Sequence, residues 1–299
     1  MASTVSKIYT TAIHTTSRTT TRRRLFDCLG WSASALAFLL LGAAMVWILV
    51  MVFIYGYHSL TPKVITQVTE GTGGGLLNAI EGTLVLALGG VLLAVPLGLG
   101  AGIYLAEFDY GPLAPVVRFL ADVLAGVPSI VIGYFGYVTL VTTLGWEFSA
   151  AAGSVALAVI SVPYICRTTE MALRGVPRGL REGAYALGAT DRQVVLGITV
   201  PAALPGIVTG ILLALAISVG ETAPLLYTAG WSSFLWNGHL IKEPIGYLTY
   251  VIWAFVTEPF ASAQALAYAA ALFVTLFVLV ISVFSRLLLN KTPAWRRRG

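Results

Sequence analysis

Charge is what this sequence has least of. Only 10% of its 299 residues are Asp, Glu, Lys or Arg, against about 25% in an ordinary soluble domain. A chain so poor in charge cannot cover itself with polar surface. That excludes a free-standing soluble domain and leaves lipid as the main solvent. Cysteine is almost missing: Cys28 and Cys166 are the two, too few for a disulfide framework or a cysteine metal site. The three histidines, His14, His58 and His239, have no metal-ligand spacing. No nucleophile–base set can be built from them, which argues against an enzyme. No G-x-x-x-x-G-K-[ST] occurs anywhere, so the chain has no P-loop for a nucleotide. The Gly71–Gly75 patch lacks the Lys that such a loop needs and is expected to be a flexible exterior linker.

Apolar residues are what the chain has instead, at 58%. They gather into runs, and a helix needs about 20 residues to cross a bilayer. Trp31 to Tyr57 is the first run, behind Arg22, Arg23 and Arg24. It exceeds the apolar core of about 7–15 residues in a cleaved signal peptide, so it reads as an uncleaved anchor. The second run is Thr83 to Leu105, rich in glycines that permit close helix approach. The third is Phe119 to Leu144, one span with Asp122 near its start and Pro128 and Gly133 inside. The fourth, Phe148 to Cys166, is short. The fifth is Leu204 to Leu226 and the sixth Ala261 to Phe284. Ile245 to Val256 is too short to span and fits an interfacial or re-entrant helix. The Trp and Tyr residues near the span ends form an interfacial belt.

The fold class is therefore all-α: a polytopic membrane protein of about six transmembrane helices. Residues 1–30 form an N-terminal tail, unstructured over Met1 to Thr21 on its Thr and Ser content. Residues 31–57 are an anchor and 83–285 the core, whose polar connector spans 167–201. Residues 286–299 are a basic tail ending in Arg296, Arg297 and Arg298. Six spans put both termini on one side. With the N-terminus cytosolic, every Lys and Arg except Lys63 and Lys242 falls inside, the positive-inside pattern. Topology thus accounts for the net charge of +5 without any nucleic acid. No internal repeat of the secondary-transporter kind is visible.

The polar stretch Arg178 to Pro201 stands out between two apolar runs. Pro177 can start a helix. Leu180, Ala184 and Leu187 would then form one apolar stripe, and Gly188 would close the helix in a left-handed cap. Thr190 with Gln193 makes a capping box for a second helix. A surface loop between spans accounts for these residues on physical grounds alone. Their order resembles something more specific. Permeases of ABC importers carry a cytosolic loop of pattern E-A-A-x-x-x-G, then nine residues, then I-x-L-P. Here Glu182, Ala184, Gly188, Ile198 and Pro201 keep that spacing. Gly183 stands where the family has Ala, and Val200 where it has Leu.

Three further segments narrow the resemblance: LAGVPSIVIGYFGY from Leu124, SVPYICRTTEMALRGVPRGLREGAYALGAT from Ser161, and ISVGETAPLLYTAG from Ile217. They are similar to permeases of bacterial phosphate-specific importers, the PstA-type subunit most of all, over roughly 82–285. The resemblance implies a type I importer transmembrane domain in the bacterial cytoplasmic membrane. It implies a heterodimer with a second phosphate permease subunit, two ATPase subunits and an extracytoplasmic phosphate-binding protein. It implies that this chain binds no cofactor, ATP and Mg sitting on the ATPase, and that Glu182, Gly183, Ala184, Gly188, Ala189, Ile198 and Pro201 engage that ATPase. The alternatives in the same class are the sister phosphate subunit and permeases for molybdate or sulfate. A stand-alone carrier is the alternative outside it, and would have no use for the docking loop.

Ionisable residues inside spans are functional candidates by default. Glu221 lies in Gly220-Glu221-Thr222-Ala223-Pro224, where a helix break is expected. It would line or gate a pathway, because protonated phosphate can donate to a carboxylate and sulfate cannot; a structural bond at a subunit interface is the competing role. Arg167 closes the fourth span, with Glu170 on the same helical face. Arg167 would attract the anion or pair with Glu170 as a gate, unless it merely snorkels to headgroups. Asp122 is a helix-end pairing residue or a further anion contact.

Overall fold

A computed structural model describes residues 2–108 and 111–290. The basic residues Arg296, Arg297 and Arg298 of the C-terminal tail lie outside the described residues. The chain divides into two compact units, one through Ile54 and one from Tyr55. The first is helical: α1 runs Ala2–Ser59 without a break. The sequence set Met1 to Thr21 aside as unstructured, yet the helix covers it from Ala2. No proline or glycine occurs before Gly30, so nothing local stops a helix once the apolar run has nucleated it.

In the second unit a short helix, α2 (Pro62–Thr66), leads into a two-residue antiparallel hairpin, β1 (Thr69–Glu70) and β2 (Gly73–Gly74). This is the glycine patch, and it is ordered rather than a linker. Asn78 holds it: its Oδ1 accepts from the Thr69 N–H and hydroxyl at 3.0 Å each, and its Nδ2 donates to the Ser232 carbonyl at 2.9 Å.

The core is α3 (Leu77–Glu107) packed along α6 (Ala150–Arg174). Glycines set their separation. A Cβ at Gly90 would stand 2.7 Å from Leu157 Cβ, and one at Gly98 2.7 Å from Ile165 Cβ. Close backbone approach of this kind is how helices associate in lipid, where hydrophobicity alone gives no drive. Pro96 and Pro163 sit inside these helices without ending them.

Between them the predicted third span is not continuous. It is α4 (Leu113–Gly126), then α5 (Ser129–Gly136) running on as a π-helical turn over Tyr137–Thr143. The two parts meet at 98°. Pro128 makes the corner: it disfavours helical backbone at the residue before it, and Val127 is extended (φ −73°, ψ 128°).

Beyond α6 lie α7 (Arg178–Ala186), α8 (Asp191–Val194), a π turn over Val195–Thr199 and α9 (Val200–Gly220). Residues 191–220 form one helical run, so Ile198 and Pro201 lie on a helix and not in a loop. Arg167 likewise does not close a span, because α6 continues to Arg174; the 167–201 connector loses its first eight residues to that helix. After a break come α10 (Ala223–Thr228), α11 (Leu248–Phe255) and α12 (Ala261–Asn290). Helix α11 is packed inside, with Leu248 and Val251 fully buried. Trp231 stacks on Tyr250 beside it, ring centroids 4.6 Å apart. Among the described residues five helices are long and apolar enough to cross a membrane, or six if the bent pair is one span.

Candidate translocation and coupling site

Two charged groups sit at the end of the bundle where α3 finishes and α6 continues. The first centres on Glu170, only 5% exposed on α6. Its Oε1 accepts from Arg118 of α4 and from Arg174 one turn on, both at 3.0 Å. Its Oε2 accepts from Arg167 at 3.2 Å. Arg167 also pairs with Asp122 of α4. The sequence anticipated Arg167 with Glu170, three residues apart on one face. Arg118 and Arg174 join them through folding, Arg118 from 52 residues away. Arg174 also donates to the Leu105 carbonyl near the end of α3 at 3.3 Å. Three guanidiniums face two carboxylates here, so an anion approaching the cluster meets a net positive charge.

The second group lies under α7. Arg181 donates to both carboxylate oxygens of Glu107, at 2.8 Å from Nη2 and 3.4 Å from Nε. It also donates to the carbonyls of Leu173 and Val176, each at 2.9 Å. No local spacing rule links residues 74 positions apart, and the sequence gives no hint of this pair. A polar cleft of about 530 Å³ opens beside it, with Arg174, Arg178, Glu182 and Tyr185 on its walls.

The local geometry of α7 follows its sequence. Gly188 adopts φ +80°, and the Ala189 N–H reaches back to the Ala184 carbonyl at 3.1 Å, a left-handed cap. Thr190 and Gln193 form the capping box. The apolar stripe differs from expectation. Ala184 is buried, Leu180 is 42% exposed and Leu187 90%. The helix rests on this chain through Ala184, while Leu187, its C-cap, is left uncovered. A Cβ at Gly183 would meet nothing within 4 Å. Gly183→Ala is therefore expected to stabilise α7 by about 0.5–1 kcal/mol, seen as a small rise in unfolding midpoint.

At the other break, Glu221 follows the last turn of α9 in extended backbone (φ −72°, ψ 135°). Its carbonyl accepts from Thr249 Oγ1 at 2.8 Å, and its carboxyl group lies beside Ser129. Ser129 opens α5 directly after the Pro128 corner. The interruptions of two different helices thus lie side by side. Below them α5 rests on α10, where a Cβ at Gly133 would come 2.6 Å from Pro224 Cα. A cavity of about 340 Å³ beside the bend is lined by Leu124, Val127, Val131, Phe135, Val159 and their neighbours, with no charged group. It does not suit an anion. The structure leaves Glu221 apart from the Glu170 cluster, so the predicted pathway residues do not form a single site.

Residues 98–292 match the family described as binding-protein-dependent transport system inner membrane component. The chain is 45% identical over 267 residues, 89% of each chain, to the phosphate transport system permease protein PstA 2 of Mycobacterium bovis. It is 43% identical over 251 residues to PstA of Yersinia pestis, covering 83% of this chain and 84% of that one. Among solved structures it is similar to an inward-facing MetNI methionine ABC transporter. The TM-score is 0.62 at 22% identity, over 73% of this chain and 96% of the other. That likeness concerns the fold alone.

Proposed function

This chain belongs to the family of inner-membrane components of binding-protein-dependent transport systems, and from that premise we propose that it is the PstA-type permease subunit of an ATP-driven importer of inorganic phosphate. The observation that carries this reading is the 45% identity, over 89% of both chains, to a phosphate transport permease. The chain works as half of a permease pair with a second phosphate permease subunit. An extracytoplasmic binding protein delivers phosphate, and two ATPase subunits hold ATP and Mg and drive the cycle. The 182–201 segment couples to the ATPase through Glu182, Gly183, Ala184, Gly188, Ala189, Ile198 and Pro201. The exposure of Leu187 supports that role, since a 90% exposed leucine at the C-cap of α7 gains by being covered. Arg167 and Glu170, with Asp122, bias the inner end of the pathway toward anions. Glu221 lines its outer part.

The test is ATP-dependent uptake of labelled phosphate into proteoliposomes holding the whole complex, with sulfate and molybdate as competitors. Phosphate uptake that the other two do not suppress is the expected result; uptake of another oxyanion in its place would discard the substrate. Leu187→Asp in the same complex is expected to lose ATPase co-purification and uptake together. Burying an unpaired carboxylate in an apolar contact costs several kcal/mol. Retention of the ATPase in that variant would remove α7 as the docking helix.

A further inference from the structure

We infer that Arg181 and Glu107 are a positioning pair that locks the docking helix to the α3–α6 core, so that movement of α7 is passed to the spans. The inference rests on α7 being the ATPase-docking helix. Arg181 sits on α7 immediately before Glu182. Its guanidinium reaches three elements at once: the last residue of α3 through Glu107, the last turn of α6 through the Leu173 carbonyl, and the turn after it through the Val176 carbonyl. The side chains of Arg181 and Glu107 are 18% and 8% exposed, so water competes little for these bonds. A two-pronged guanidinium–carboxylate contact fixes orientation as well as distance. Helix α7 therefore cannot tilt or slide without taking the ends of α3 and α6 with it. Those two helices are already joined by the glycine contacts at Gly90 and Gly98. Glu170 lies on α6 only one turn before Leu173, so motion imposed on the end of α6 arrives directly at the arginine cluster.

Another side-chain bond of α7, from the Tyr185 hydroxyl to Asp191 at 3.0 Å, stays inside the docking region. The fork is thus a direct route from α7 to the spans. Lysine has the charge but not the fork, and cannot satisfy a carboxylate and two carbonyls in this geometry.

The experiment uses the reconstituted complex and reads phosphate transported per ATP hydrolysed, beside ATPase co-purification. Arg181→Lys and Glu107→Gln are each expected to lower that ratio about tenfold, within the range for residues on a coupling route, while the ATPase still co-purifies. The double variant is expected to fall no further than the worse single one, because both remove the same contact. An unchanged ratio in both single variants overturns the inference. So does loss of the ATPase from both, which would make the pair an assembly contact instead. The docking reading fails separately, through retention of the ATPase by Leu187→Asp. An unchanged ratio with Leu187→Asp still losing the ATPase would sink the positioning pair alone.

Discussion

Gly98→Val is expected to prevent this chain from folding into a stable bundle. The Cβ alone would stand 2.7 Å from Ile165 Cβ, 2.8 Å from its Cγ2 and 3.1 Å from the Val162 carbonyl. Ile165 is fully buried and its Cβ is fixed to the backbone of α6, so no side-chain rotation relieves the overlap. The helices must separate, and Gly90 and Gly102, which pack on the same side of α6, separate with them. Overpacking costs about 1–3 kcal/mol and occasionally more; a wedge between two backbones belongs at the upper end. The measurement is yield of monodisperse protein in detergent and its unfolding midpoint. Gly100→Ala is the control. It lies two residues along the same helix, where a Cβ meets nothing within 4 Å, and it is expected to be neutral or slightly stabilising. Equal damage from both would mean that helix flexibility, and not contact, is what the glycines supply.

Glu170→Ala should have the second large effect. Its carboxylate touches Arg118, Arg167 and Arg174 at 3.0–3.2 Å. Removing it leaves three guanidiniums converging on a small space with their shared acceptor gone. Breaking a buried ion pair from one side costs about 3–5 kcal/mol. The arginine side chains are 31–51% exposed, which puts the cost near the lower figure. Uptake is expected to fall to background. Glu170→Gln keeps the shape and the acceptor oxygen but not the charge, so it should assemble normally and transport poorly. Full transport by Glu170→Gln would show that the carboxylate's charge has no part in the pathway and that the cluster only braces α4 against α6.

What was legible in the sequence was local. The cap at Gly188 and the capping box at Thr190 follow from residues within one turn of each other, and both are present as expected. The long apolar runs mark the spans because length and composition decide them. The bend at Pro128 was not legible, for a physical reason. Pro96, Pro163 and Pro205 lie inside helices that carry on past them, so proline in an apolar run does not say whether the helix kinks or stops. The answer came from packing, with α5 turned away to lie on α10 at Gly133. Distance along the chain hid the rest. Glu107 has no partner within reach along the sequence until folding sets Arg181 against it, and Arg118 reads as an inside positive charge until it meets Glu170. The glycine patch misled because Asn78, which orders it, belongs to the following helix.

Helix α6 has a consequence for how the protein is made. It is the least apolar of the five long helices and the most buried within the protein, and it carries Arg167, Glu170 and Arg174. A charged residue is costly to release from the translocon into lipid, by about 2.5–3.5 kcal/mol at the middle of a helix and less toward its ends. Helix α3 precedes it in synthesis and presents Gly90, Gly98 and Gly102 as a groove. Helix α6 is therefore expected to enter the bilayer by pairing with a helix already there rather than by its own partitioning, which makes the α3 groove an internal insertion guide as well as a packing surface.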